Sequence, residues 1–248
     1  MATIAQTEPQ ATPATASKDM LQVLERLQGL LPLAKRQRAL PPPLRTLHRA
    51  ILKSLFEKGR PPKQAEIAAM LGSKQSAIHA LGILGSSDLV ILNPPVAKDE
   101  KTKQPTVAEG VEVVGAYPMT TETTPHRVVA SGVSVNAMCA VDALSIGPMF
   151  GQETWIESRC HVTGTPIRIL QRGREILEAS PSHEIRVGIR WQTFNTCAAH
   201  TLCMEMVFLR DAETANAWRN TDPASIDVFT LPEAIELGMA FFLPLVEG

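Results

Sequence analysis

The chain has 248 residues, 44% of them hydrophobic and 20% charged, so it is long enough to fold as one large domain or two modest ones. Its net charge of -1 argues against a polyelectrolyte that coats nucleic acid or acidic membranes. That charge is unevenly spread: residues 1–100 carry 13 basic and 8 acidic side chains, whereas residues 101–248 carry 11 and 17. All four cysteines lie in the acidic part, and they are too few for a disulfide-dense secreted scaffold.

The N-terminal segment gives no sign of export. Its first seventeen residues contain neither a basic region nor an apolar region, so residues 1–18 are predicted to form a disordered polar tail. The most apolar stretch, residues 128–152, is interrupted by polar residues and glycines, which argues against a spanning helix. We therefore expect a cytoplasmic protein with reduced thiols and no membrane partner.

Helical patterns dominate the next part of the chain. A first helix is predicted from Asp19, its proposed N-cap, and prolines 41–43 are predicted to end that element. The later patterns predict helices and then a strand, at residues 44–57, 65–71, 74–84 and 89–92. This order is typical of a winged helix-turn-helix, which we place at residues 19–93.

A winged helix suggests DNA binding, but it can also serve only for packing or as a cover. The second helix of the motif would offer Lys74, Gln75, Ser76 and His79 to a DNA groove. It carries a single lysine, and phosphate contacts dominate affinity for DNA. The motif alone does not decide, and the charge weighs against a nucleic-acid partner.

The second part of the chain is predicted to be an α+β domain with a mixed, mainly antiparallel sheet. Residues 94–109 are predicted to be a linker or wing, and the α+β domain covers residues 110–248. Strand patterns occur at residues 110–117, 126–130, 155–162, 167–171, 185–191 and 202–209, the last predicted to be a more central strand. Helices are predicted at residues 213–218 and 231–240, the second with a capping box of Thr230 and Glu233.

One carboxylate stands alone in an apolar run. Asp142 is the only charged residue between Arg127 and Glu153, and Cys139 precedes it by three positions. On a helix, residues three apart share a face, so a thiol and a carboxyl group would meet in one cavity. The alternative is that Cys139 is a small core residue and Asp142 a structural hydrogen-bond acceptor.

The other cysteines leave several interpretations open. Cys197, His200 and Cys203 could hold zinc, but their spacing lacks paired C-x-x-C knuckles, and Cys203 is predicted to lie on a strand. Cys160 and the adjacent His161 fall on another predicted strand. We expect Cys160 to be a buried packing residue and His161 to be a satisfied hydrogen-bonding residue.

Two thiols and one carboxyl group suit a specific chemistry. Thiolates bind soft metals, and a neutral carboxylic acid can deliver a proton to a group bonded to that metal. The motifs NAMCAVDAL, ESRCHVTGTPI and LCMEMVFL, followed by Trp218, resemble those of the bacterial organomercurial (alkylmercury) lyases. Further similarity lies in Gly115-Ala116-Tyr117 and Gly59-Arg60-Pro61.

The resemblance implies a role for each matched residue. Cys139 and Cys203 match the family's two mercury-binding catalytic cysteines, Asp142 its proton-handling aspartate and possible further metal ligand, and Cys160 its structural cysteine. It also implies an N-terminal domain that looks like a winged helix without binding DNA. The chain departs from the family pattern in its longer N-terminal tail and at Met138, Leu202 and Cys197.

The implied activity is mercury detoxification by protonolysis of an R–Hg–X compound to R–H and Hg(II). We expect a Cys139 thiol beside an ionised Asp142 in the resting enzyme, because ordinary pKa values are about 8.5 and about 4. No organic cofactor is expected; the expected partners are organomercurial substrates, small thiols that release Hg(II), and a mercuric reductase. The alternatives are a winged-helix transcriptional regulator that senses metal or thiol oxidation, and a lyase-like protein that stores copper or zinc.

Overall fold

The structure is a computed structural model that describes residues 18–99, 105–108, 110–192 and 198–247. The predicted tail, apart from Lys18, and Cys197 lie outside these residues. The helices are α1 Lys18–Leu30, α2 Leu33–Ala39, α3 Pro42–Lys58, α4 Gln64–Leu71, α5 Lys74–Ser86, α6 Ala140–Phe150, α7 Ala212–Arg219 and α8 Leu231–Phe242. The strands are β1 Ile91–Asn93, β2 Ala97–Lys98, β3 Pro105–Thr106, β4 Glu112–Ala116, β5 Met119–Thr120, β6 His126–Ala130, β7 Val133–Ala137, β8 Glu153–Arg159, β9 Pro166–Arg172, β10 Glu175–Ser180, β11 Arg186–Arg190, β12 Met206–Leu209 and β13 Ile226–Thr230.

The first predicted helix is two helices. α1 begins at Lys18, so Asp19 is inside the helix and is not its N-cap, and it ends at Leu30; α2 follows as a separate helix. The helical segment before the proline run ends where predicted, because α2 ends at Ala39 and Leu40, the residue before Pro41, is extended. The same run also starts α3, with Pro42 in the first turn, where the missing N–H has no intrahelical partner to lose.

The other predicted helices of this region agree with α3, α4 and α5. Gly59 ends α3 in the left-handed conformation at φ 66°, and the Ser73 hydroxyl caps α5 by accepting the N–H of Ser76. β2 and β3 form a short antiparallel pair within the segment predicted to be a linker or wing. The winged-helix interpretation and the domain boundaries stay predictions.

The largest sheet among the described residues has eight strands. Its strand order is β1-β4-β5-β7-β6-β8-β9-β10, and every neighbouring pair is antiparallel. β8 and β9 form the predicted hairpin. With its helices and mainly antiparallel strands, the fold is α+β, as predicted.

A second sheet has the order β12-β11-β13 and corrects the prediction for residues 202–209. That segment is not one strand: Leu202–Glu205 is a 3₁₀ turn, only Met206–Leu209 is extended, and β12 lies at an edge, not at the centre. A short apolar run indicates burial but cannot distinguish a buried strand from a buried turn. Ala198–His200 forms a preceding 3₁₀ turn.

Helix α6 follows β7 and lies at the centre of the packing. It contacts the large sheet, β12 and α8. A Cβ atom added to Gly238 of α8 would collide with the hydroxyl of Ser145 on α6, so the two helices approach closely through a glycine. One hydrophobic cluster includes residues from Met20 to Leu245. In the described part of the chain, no helix has the length and apolar character needed to cross a membrane.

Candidate active site

The structure brings together the three residues that the sequence singled out. The Sγ atoms of Cys139 and Cys203 and a carboxylate oxygen of Asp142 all lie within 4.8 Å of one another. Their exposed fractions are 0%, 4% and 2%, respectively. Two thiols and one carboxyl group therefore share a site from which bulk water is excluded.

Cys139 and Asp142 are held by the start of α6. Cys139 is the N-cap residue in extended conformation, and its Sγ accepts the backbone N–H of Asp142 at 3.3 Å. Cysteine in a position that usually holds serine, threonine or aspartate places the sulfur directly at the helix N-terminus. The three-residue spacing therefore places Cys139 at the N-cap and Asp142 in the first turn of α6. The sequence had suggested instead that both residues lie within a helix on one face.

Burial sets the protonation of Asp142. It raises the pKa of the carboxyl to about 8, although hydrogen bonds with Cys139 act in the opposite direction. Among the described residues, Asp142 Oδ2 has no hydrogen-bond partner. At neutral pH the group is therefore mainly a neutral acid, which differs from the ionised aspartate expected from ordinary pKa values.

The two thiols also favour their protonated forms. Burial raises the pKa of Cys139 well above its ordinary value, and hydrogen bonding to Cys203 raises it further. The same hydrogen bond lowers the pKa of Cys203, but burial and the carboxyls of Asp142 and Asp88 outweigh it, so that pKa is raised too. A metal ion that binds in place of the thiol protons stabilises the thiolates, which are otherwise unfavourable in this buried site.

A tyrosine supports the 3₁₀ turn that comes just before the one carrying Cys203. The hydroxyl of Tyr117 accepts the backbone N–H of Ala199 at 2.9 Å and donates to Asp88 Oδ1 at 3.3 Å. Asp88 in turn pairs with Arg36 of α2 at 3.5 Å. The helical region is therefore connected, through a buried phenol, to the turn that precedes Cys203. In the sequence, this tyrosine was indicated by the Gly115-Ala116-Tyr117 motif.

A third sulfur, not predicted from the sequence, lies at the site. The Cys139 thiol donates to the thioether Sδ of Met206 across 3.7 Å, and Met206 is 3% exposed. The available signal was position: Met206 follows Cys203 by three residues. A methionine in an apolar strand is ordinarily a packing residue, so this signal is weak.

The remaining predicted residues lie elsewhere. Cys160 is not on a strand: it directly follows β8, is 2% exposed, and its N–H donates to the carbonyl of Thr165 at 2.8 Å. The N–H of His161 donates to the carbonyl of Phe208. His200 contacts Glu122 at 3.0 Å and is not part of the cluster, whereas Cys197 of the suggested zinc set lies outside the described residues.

The family follows from sequence comparison. The MerB family model, described as alkylmercury lyase, matches residues 119–243, half of the chain, and this range contains the whole cluster. The chain belongs to the alkylmercury lyase family. An alkylmercury lyase of Staphylococcus epidermidis is 29% identical over 192 residues, 77% of this chain and 79% of that protein. One of Pseudomonas putida is 25% identical over 175 residues, 71% and 78% of the two chains.

A solved structure supports the fold. The crystal structure of the mercury-bound form of MerB2 superposes with a TM-score of 0.66 at 19% identity, covering 92% of this chain and all of that one. The fold of this chain is therefore similar to that of MerB2 over most of its length.

Proposed function

We propose that the protein cleaves the carbon–mercury bond of organomercurials, releasing a hydrocarbon and leaving Hg(II) on its cysteines. The observation that carries this proposal is the buried group of two thiols and one carboxyl within 4.8 Å. Sulfur is the ligand type that soft metals prefer, and a buried neutral acid is a proton donor. Family membership points to the same reaction.

The reaction balances with these three groups alone. One thiol bonds to mercury in place of X, and its proton leaves with X as HX. Asp142 then transfers its proton to the carbon, the carbon–mercury bond breaks, and R–H departs. The second thiol bonds to mercury and returns its proton to Asp142, so the aspartate ends neutral as it began.

The raised pKa of Asp142 supports its place in this sequence. An aspartic acid with a pKa of about 8 holds a proton at neutral pH and can both give it up and take it back there. An ordinary carboxyl would be almost fully ionised and would have nothing to transfer. Exclusion of water also keeps the proton from being lost to solvent.

Product release needs an outside group. Because two thiolates hold Hg(II) tightly, we infer that small thiols remove it by exchange and that a mercuric reductase accepts it. The reaction calls for no organic cofactor, since the protein's own side chains supply both ligands and proton. We place this activity in the cytoplasm, where thiols are reduced.

The regulator hypothesis is less well supported than the lyase. A sensor would need a DNA-binding surface, and α5, the helix that a winged helix would place in the groove, carries one lysine, Lys74. A mercury-dependent change in DNA affinity without hydrocarbon release would favour the sensor.

The test is headspace detection of benzene from phenylmercury, or methane from methylmercury, in excess thiol. Cys139→Ser and Cys203→Ala should each abolish release, whereas Asp142→Ala should keep mercury bound but lose cleavage. Cys160→Ser is the matched control, a buried cysteine outside the cluster, and should keep turnover. Wild-type turnover in either of the first two variants rules out the two-thiol mechanism.

A further inference from the structure

We propose that Met206 is a third sulfur contact for the mercury ion that Cys139 and Cys203 hold. This inference rests on the proposed function for the identity of the metal. It adds a neutral thioether to the two thiolates and gives Met206 a role in retaining Hg(II) after the hydrocarbon leaves.

The position of Met206 is fixed by the fold. It is the first residue of β12, where it pairs with Ile189 of β11, and it closes the 3₁₀ turn that carries Cys203. Its own N–H donates to the carbonyl of Cys203. Backbone pairing on one side and the turn on the other therefore hold the methionine beside the second cysteine.

The thioether sulfur already lies beside the site. In the resting protein, Sδ of Met206 accepts the thiol proton of Cys139 across 3.7 Å. Mercury binding removes that proton and leaves a metal bonded to the Cys139 sulfur in its place. The thioether sulfur, 3.7 Å from the Cys139 sulfur, then has the metal as a neighbour.

The chemistry of the thioether suits this role. Methionine sulfur is a soft ligand, like the thiolates, and it stays neutral at any pH, so it adds a ligand without adding charge to a buried site. Met206 is 3% exposed, which keeps water from competing for the same position on the metal. Leucine would fill a similar volume without a lone pair.

The experiment compares the wild type with Met206→Leu and uses Hg(II) chloride alone as the probe. The matched control is Met149→Leu, a buried methionine on α6 ten residues after Cys139. At 1.5 Å per residue it lies about 15 Å farther along the helix. X-ray absorption at the mercury edge should detect a third, longer sulfur contact in the wild type and in the control, and only two sulfurs in Met206→Leu.

Competition with a dithiol gives a second readout. Met206→Leu should release Hg(II) at roughly tenfold lower dithiol than the wild type, a loss of the size seen when groups around a metal's main ligands are removed. Met149→Leu should match the wild type.

In the X-ray absorption experiment, only two sulfurs around mercury in the wild type would overturn the proposal, even if the leucine variant fails to fold.

The outcomes separate this inference from the proposed function. Hg(II) chloride binding requires no cleavage, so a third sulfur in a protein that releases no hydrocarbon would support Met206 and contradict the lyase. Cleavage by a wild type with only two sulfurs on mercury would do the reverse. Equal retention of Hg(II) by Met206→Leu and the wild type would reduce Met206 to a packing residue.

Discussion

Replacing Asp142 with asparagine should change how the stability of the protein depends on pH. Burial raises the pKa of this aspartate from its ordinary value of 3.8 to about 8 in the folded state. Between these values the folded state binds one more proton than the unfolded state, so the free energy of unfolding falls as pH rises. The full contribution is present below about pH 4 and is lost as pH rises to about 8.

The magnitude follows from linkage. Each pH unit inside this window lowers the free energy of unfolding by about 1.4 kcal/mol. Through Asp142, the wild type should therefore lose about 3 kcal/mol of stability between pH 5 and pH 7. An amide does not titrate, and Asp142→Asn should lack this slope. The stability of the variant relative to the wild type should therefore increase by that amount over the same interval.

Urea unfolding of both proteins at several pH values between 5 and 8 measures this difference. Buried His48 and His126, whose pKa values burial lowers to about 4, give their own pH dependence, but both proteins carry them and their effects cancel. Parallel stability profiles for wild type and variant would refute a raised pKa at Asp142. They would also remove the reason to regard it as a neutral acid.

Three other substitutions test the supporting structure. Tyr117→Phe leaves the buried N–H of Ala199 without its acceptor and should cost about 1–3 kcal/mol in urea unfolding and slow turnover; unchanged values for both would contradict the support role. Cys160→Ser should lower the free energy of unfolding by about 1–3 kcal/mol, seen as a lower melting temperature, while turnover is kept. A normal melting temperature with lost turnover would contradict the packing role of Cys160. Gly188→Ala would force a Cβ into the ring of Trp218 and should also cost about 1–3 kcal/mol by calorimetry, whereas a neutral effect would mean that the ring moves aside freely.

Elements with strong local signals were predictable from the sequence. The capping box of Thr230 and Glu233 defines the start of α8, and the turn around Gly164 separates β8 from β9. These features depend on residues a few positions apart. Local hydrogen bonding and backbone preference are enough to specify them.

The site required contacts that no local pattern contains. Cys139 and Cys203 were paired by family resemblance, and the support of Ala199 by Tyr117 joins residues 82 positions apart. The neutral state of Asp142 also depends on complete burial by the surrounding fold, whereas an isolated aspartate ionises near pH 4. The apolar run at residues 202–209 indicated the burial of Cys203 and of β12, but neither the turn that carries Cys203 nor the exposure of Met204.

The most direct test of the central claim is cleavage of phenylmercury in D₂O with excess thiol, followed by mass analysis of the headspace. A site in which Asp142 passes an exchangeable proton to carbon predicts benzene that carries one deuterium, formed by the wild type and absent with Asp142→Asn. No benzene from the wild type, or singly deuterated benzene at the wild-type rate from Asp142→Asn, would contradict the account.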